Sequence, residues 1–223
     1  MSIQKYIASL FILLIVQQSH AQSINWNDAD TSRPVLIFGK FGVEYGVCYS
    51  LGGGYLTQLL GFPILLNASI SLPVGETPFD DKKTKLGATI KWYSYKGFTV
   101  STDIHGVYRS YENTYVHLDN FGSDLSATVG YYASHWFFAG QVGFDKAIAT
   151  KYEHTPVYQS IYPEVVNGWY EPASGGNFYY GLGAGATFYH YTIGMRAGKI
   201  LNENFYAGPM LPFYGELQVH LLF

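Results

Sequence analysis

Ser101, Asp103 and His105 put a nucleophile, a carboxylate and an imidazole at alternate positions of one segment, the residue types of an acyl-transfer triad. Their spacing argues against that chemistry. Alternate residues of a strand share a face but stand about 6.6 Å apart along it, beyond the hydrogen bond that a nucleophile and its base require. His190 has no Ser or Glu motif around it, and His117 and His154 stand in polar stretches without partners at metal-ligand spacing. The single cysteine, Cys48, excludes a disulfide framework and multi-cysteine zinc sites, and reads as a small buried filler. No catalytic residue, metal or cofactor is expected, and the protein is not expected to be an enzyme.

The elements that would carry these residues are set by composition. Of 223 residues, 48% are hydrophobic and 18% aromatic, with 21 Tyr, 15 Phe and 25 Gly. Only 13% are charged, about half the usual share of a soluble domain. The balance of 13 Lys and Arg against 16 Asp and Glu leaves no phosphate-neutralising surface, so no nucleic-acid partner is expected. At the N-terminus Lys5 precedes an apolar run from Ile7 to Val16, and small residues follow at Ser19 and Ala21. This is the layout of a signal peptide, residues 1–21, too short for a bilayer-spanning helix. Residues 22–223 form one domain, since no composition break or linker divides them.

That domain is written in period two. Lys85–Tyr93, Phe98–Arg109, Leu125–Tyr131, Trp136–Phe144, Phe178–Phe188, Tyr191–Ala197 and Phe213–Phe223 all alternate apolar with polar or small residues. Phe41–Leu51 and Phe62–Val74 fit as well, and all read as half-buried antiparallel strands. Tight turns at 95–97, 133–135 and 189–190 alternate with long polar connections at 75–84, 111–122, 151–177 and 202–212. Short turns on one rim and long loops on the other predict an all-β, antiparallel, up-and-down transmembrane β-barrel. Eight strands follow from Phe62 onward. Phe41–Leu51 adds a ninth, and a short partner at Pro34–Phe38 would make ten.

A soluble barrel shows the same alternation with the apolar face inward. Three features favour the membrane. Aromatics such as Trp92, Phe98, Tyr108, Tyr131, Trp136, Phe178, Phe188 and Phe223 lie near strand ends on the apolar face, where an interfacial girdle needs them. Gly181, Gly183 and Gly185 line one polar face, which suits a narrow lumen with bulky neighbours. The charges Lys40, Glu44, Lys85, Lys91, Asp103, Arg109, Asp124, Asp145, Arg196 and Glu216 all fall on the polar face, together with His105.

The chain closes on Phe213-Tyr214-Gly215-Glu216-Leu217-Gln218-Val219-His220-Leu221-Leu222-Phe223. That ending resembles the C-terminal signature of outer-membrane β-barrel proteins, whose last strand and terminal Phe are read by the assembly machinery. With the signal peptide, it points to the small OmpA/OmpW-like barrel superfamily. The resemblance implies export to the cell outer membrane, contact with its lipid, engagement of the barrel assembly machinery and a monomeric state. Asp103-Ile104-His105 superficially resembles the Asp/His pair of omptin proteases, but it falls mid-strand, and the paired aspartates of that family have no counterpart.

A narrow barrel must fill its lumen with side chains, and unpaired charge there is costly, so the inward charges are expected to form an ion-paired core. A non-enzymatic protein with a structural or surface-interaction role follows. The alternative is a small-solute or hydrophobic-compound channel, and a lipid-modifying enzyme or protease is the remotest reading. Any surface contact is expected on the connection 151–177, whose Tyr158, Tyr162, Trp169 and Tyr170 are spaced by Pro156, Pro163 and Pro172. The other reading of these aromatics is that they fold the loop over the barrel mouth.

Overall fold

Alternation gives strands, and residues that accept left-handed backbone end them. In the computed structural model, residues 24–29, 32–75, 77–171, 176–205, 208–209 and 211–223 are described. The signal segment 1–21 and Pro172 lie outside them. The strands are β1 (Val35–Val43), β2 (Val47–Leu59), β3 (Phe62–Pro73), β4 (Asp81–Tyr95), β5 (Phe98–Glu112), β6 (Val116–Tyr132), β7 (Trp136–His154), β8 (Gly168–Tyr170), β9 (Asn177–Phe188), β10 (Tyr191–Asn202) and β11 (Phe213–Leu222). One short helix, α1 (Pro156–Ile161), precedes β8. Ten strands pair antiparallel with their neighbours, and β1 pairs with β11, so the sheet closes as a ten-stranded barrel. β8 stands apart as a short partner of β7 above the point where β7 leaves β9.

Two hairpins show how the short rim is made. Leu60-Gly61 and Lys96-Gly97 have φ of 54° and 84°, and of 48° and 89°. Positive φ at both central residues matches the right-handed twist of the flanking strands, and glycine takes the second position at little cost.

Ten strands is the upper count that the sequence allowed, but the first two are divided elsewhere. Phe41–Leu51 is not one strand: the chain turns at Glu44–Gly46, so β1 runs from Val35 to Val43 and β2 starts at Val47. The alternation phase survives this hairpin, which hides it in the sequence. Three expected long connections are also shorter. β4 starts at Asp81, the β5–β6 turn is only Asn113–Tyr115, and β7 runs on to His154. These stretches read as loops because they are polar, yet they are strands. As a result β4 to β7 have 15, 15, 17 and 19 residues against 9 to 13 elsewhere in the barrel. One wall therefore rises above the rest of the loop rim.

Burial is inverted relative to a barrel that dissolves in water. Outward Leu51, Leu86, Ile104, Leu125, Val142, Leu182, Ile193 and Leu217 are 47% to 68% exposed, while Asp103, Asp124, Arg196, Glu216 and Gln218 are buried inside. Where β5 meets β6, the outward aromatics pair twice, Phe98 with Tyr131 and Tyr108 with Phe121, at centroid distances of 5.3 and 5.1 Å. The same ten-residue interval separates Phe178 from Phe188 and Phe213 from Phe223. Outward charges such as Lys82, Asp119 and Lys199 stand at the loop-rim end of their strands, beyond the uncharged stretch.

Candidate functional site

The lumen is built in three storeys, and each takes its chemistry from the inward positions at that height. At the short-turn rim the filling is apolar. Leu36, Phe38, Leu56, Leu65, Tyr132, Phe137 and Leu222 converge there, and the segment Ile24–Ala29 inserts into them as a stopper. Trp26 is 4% exposed, with the Lys91 ammonium 5.3 Å from its ring centroid. The buried Asn25 amide donates to the Ala133 carbonyl at 2.9 Å, to Thr187 Oγ1 at 3.0 Å and to Asp28 Oδ2 at 3.2 Å, while its oxygen accepts from the Asn27 N–H. Burial holds the Asp28 carboxyl above its ordinary value, against the opposing pull of Thr187, His135 and Arg33. No sequence periodicity flags this segment, since it is irregular and reads as a spacer.

The middle storey is a hydrogen-bonded chain along the inner wall of the lumen. Arg196 donates to Gln141 at 2.9 Å, Gln141 to Ser126 at 2.6 Å, and Ser126 to Asp103 at 2.8 Å. Thr89 donates to the other Asp103 oxygen at 2.6 Å, Asn67 reaches Thr89 at 3.5 Å, and His105 Nε2 meets Asn67 Oδ1 at 2.7 Å. Six strands are tied by this chain. Asp103 and His105 therefore point into one lumen but serve different partners, and neither bonds Ser101 in a triad. The glycines make this possible. A Cβ at Gly181 would meet the Tyr214 hydroxyl, one at Gly183 would press on Arg196 and one at Gly185 on the Phe137 ring.

The top storey carries the ion pairs. Glu44 holds Lys83 at 2.9 Å and Lys85 at 3.7 Å, Lys85 also binds Asp124 at 2.8 Å, and Lys40 lies 3.7 Å from Glu216. Arg109 grips Asp81 with two parallel bonds of 2.7 and 2.6 Å and lies 4.3 Å from the centroid of the Tyr45 ring. At the loop edge Lys146 reaches Glu203 at 3.2 Å, and the Gly176 N–H donates to the same oxygen at 2.7 Å. The Gly176 bond first, then Lys146, holds the Glu203 carboxyl below its ordinary value.

The expected charge network is thus brought together only in part. Lys40, Glu44, Lys85, Arg109, Asp124 and Glu216 form ion pairs. Lys91 sits over Trp26 instead, Arg196 and Asp103 enter the hydrogen-bonded chain, and among the described residues Asp145 accepts from Asn177 alone. Asp81 and Lys83 complete the network from a stretch read as loop. Continuing the alternation of β4 two residues upstream of Lys85 reaches Lys83 on the same face.

Above the chain, on the inner face of the tall wall, lies a hollow of about 480 Å³ that opens at the loop rim. The described part of the connection beyond β7, residues 155–171, packs against the same wall. Thr155 caps α1, whose Tyr158 stands 6.3 Å from Tyr115, 5.1 Å from His154 and 5.1 Å from Tyr162. Tyr170 packs edge-on to Tyr152, and Trp169 lies 5.8 Å from the outward Phe121. Tyr162 and Trp169 stay exposed, whereas Tyr158 is spent inside the loop.

Fold and lumen together define a closed, ten-stranded antiparallel β-barrel with a polar, side-chain-filled interior and an apolar exterior. No protein-family model matches the chain, and no curated protein matches it. Among the described residues, no group of three or more His, Cys, Asp or Glu is gathered to hold a metal ion.

Proposed function

We propose that the chain is an outer-membrane β-barrel protein, with its short turns toward the periplasm and its tall wall at the cell surface. It acts there without catalysis, as a structural or surface-interaction protein. One observation carries this reading: an uncharged apolar exterior bounded by two aromatic rows ten residues apart. Ten residues are roughly 33 Å of strand, and at a tilt of about 45° roughly 24 Å along the axis. That is the height of the apolar band that bacterial barrels present to lipid, with aromatics at both interfaces. In water the same surface would be a continuous apolar patch far beyond what a soluble monomer tolerates.

The terminal strand supports assembly through the barrel machinery, and lipid is the partner of the outer wall. A channel is the weaker reading, because the stopper is packed into the lumen at the short-turn rim. Heated and unheated samples in SDS should migrate differently, since a ladder closed on itself has no edge at which to unravel. Identical migration together with solubility in detergent-free buffer would overturn the membrane reading. Steady conductance in planar bilayers would favour the channel, and silence the occluded barrel.

A further inference from the structure

We propose that the hollow on the inner face of the tall wall binds a small organic ammonium ion. A volume of about 480 Å³ falls within the range of small-molecule sites. Its walls come from Lys83 of β4, from β5, β6 and β7 and from the first residue of β9, elements fixed by long ladders, so the hollow is set by the sheet and not by a loop. Its charges decide the ligand. Each lysine and arginine lining the hollow is already engaged, Lys83 by Glu44, Arg109 by Asp81 and Lys146 by Glu203. Asp124 has Lys85 at 2.8 Å, and Lys85 also answers Glu44.

Asp145 is left over. It accepts from the Asn177 N–H at 3.2 Å and the Asn177 side-chain amide at 3.0 Å, both on Oδ1, and pairs with no cation among the described residues. The hollow therefore presents one carboxylate that no described cation touches, its charge answered at longer range by Lys85, beside the amides of Asn177 and Asn120 and the rings of Tyr111 and Tyr152. A carboxylate with tyrosine rings nearby suits an ammonium group, through charge pairing and attraction to ring faces. A single carboxylate is too few ligands for a divalent metal, which takes six or more oxygens when it is calcium. An anion would meet only occupied cations. The amides and hydroxyls of the wall suit a hydrogen-bonding body attached to the amine.

The inference rests on the barrel and its charges, not on the membrane reading, so the gel-shift experiment and this one fail separately. The probes are glucosamine and 2-aminoethanol, with N-acetylglucosamine as the neutral counterpart of the first. Binding is read by ligand-observed saturation-transfer NMR on the full chain in detergent. The unaltered protein should bind the two amines and bind N-acetylglucosamine at least about tenfold more weakly. Asp145→Asn keeps an acceptor for Asn177 and should lose at least about tenfold in amine affinity. Glu153→Gln, the same charge change outside the hollow, should leave the affinity unchanged. Silence of both amines, equal binding of the two sugars, or equal losses in the two variants would each overturn the site. Should Asp145→Asn fail to fold, the amine and N-acetyl pair on the unaltered protein still decides.

Discussion

The two ends of the lumen are built from opposite chemistry. At the short-turn end, Ile24 and Trp26 bury apolar surface against Leu36, Phe38, Leu56, Leu65 and Phe137, and one amide, Asn25, anchors them. At the loop end the wall is polar, the contacts are ion pairs, and a hollow stays open. Apolar burial contributes roughly in proportion to area, whereas ion pairs as enclosed as Lys83–Glu44 spend much of their attraction on the desolvation of their charges. The difference teaches where stability and adaptability lie. The sealed end holds the barrel, and the open end is free to carry recognition.

The largest effect should come from Trp26→Ala. Truncating a buried Trp to Ala costs about 3–5 kcal/mol, read as a lower heat-shift midpoint on gels. Tyr162→Ala, exposed at the other end, should stay within about 0.5 kcal/mol of the parent. Equal shifts in the two variants would erase the contrast.

Next in size is Gly185→Ala. Its new methyl would press on the Phe137 ring and the Ile193 carbonyl, and overpacking costs about 1–3 kcal/mol. Gly168→Ala meets open space at the loop end and should be close to neutral by the same midpoint measurement. A Gly185→Ala protein as stable as the parent would mean that the lumen has slack at the sealed end.

Acidification should move the two ends in opposite directions, a smaller effect. The Asp28 carboxyl titrates above its ordinary 3.8 in the folded protein, so the stopper binds the proton more tightly than the unfolded chain does. Its seat should strengthen as pH falls through the folded value and weaken as pH rises through it. Glu203 is the reverse: held below its ordinary 4.5, it contributes above that value and loses its contribution as pH falls through the folded one. Amide exchange near Trp26 should slow on acidification while exchange at Gly176 quickens, each relative to the intrinsic rate at that pH. Shifts of the same sign would show that the ends are not independent. The smallest change is Glu203→Gln, which should speed exchange at Gly176 and leave the heat-shift midpoint in place.

Much of this molecule is legible in its sequence for a simple reason. A strand shows alternate faces, so Phe178 to Phe188 declares one apolar and one glycine-rich side whatever its neighbours are. The same regularity misled where phase carried across a turn. Glu44–Gly46 turns without breaking the alternation, and β4, β5 and β7 continue as polar strands into stretches that composition assigns to loops. In the lumen, alternation told which charges point inward but not at what height they stand.

Sequence by itself determined the period, the apolar and polar faces, the glycines on the crowded side and the aromatics ten residues apart. Those follow from local stereochemistry and from the partition of side chains between apolar and polar surroundings. Only the tertiary structure decided that β1 closes on β11, that Asp81 rather than Glu44 holds Arg109, and that Trp26 seals one end while Asp145 meets Asn177 at the other. Register and stagger bring residues a hundred positions apart to the same height, and no local pattern in the chain encodes which pairs will meet.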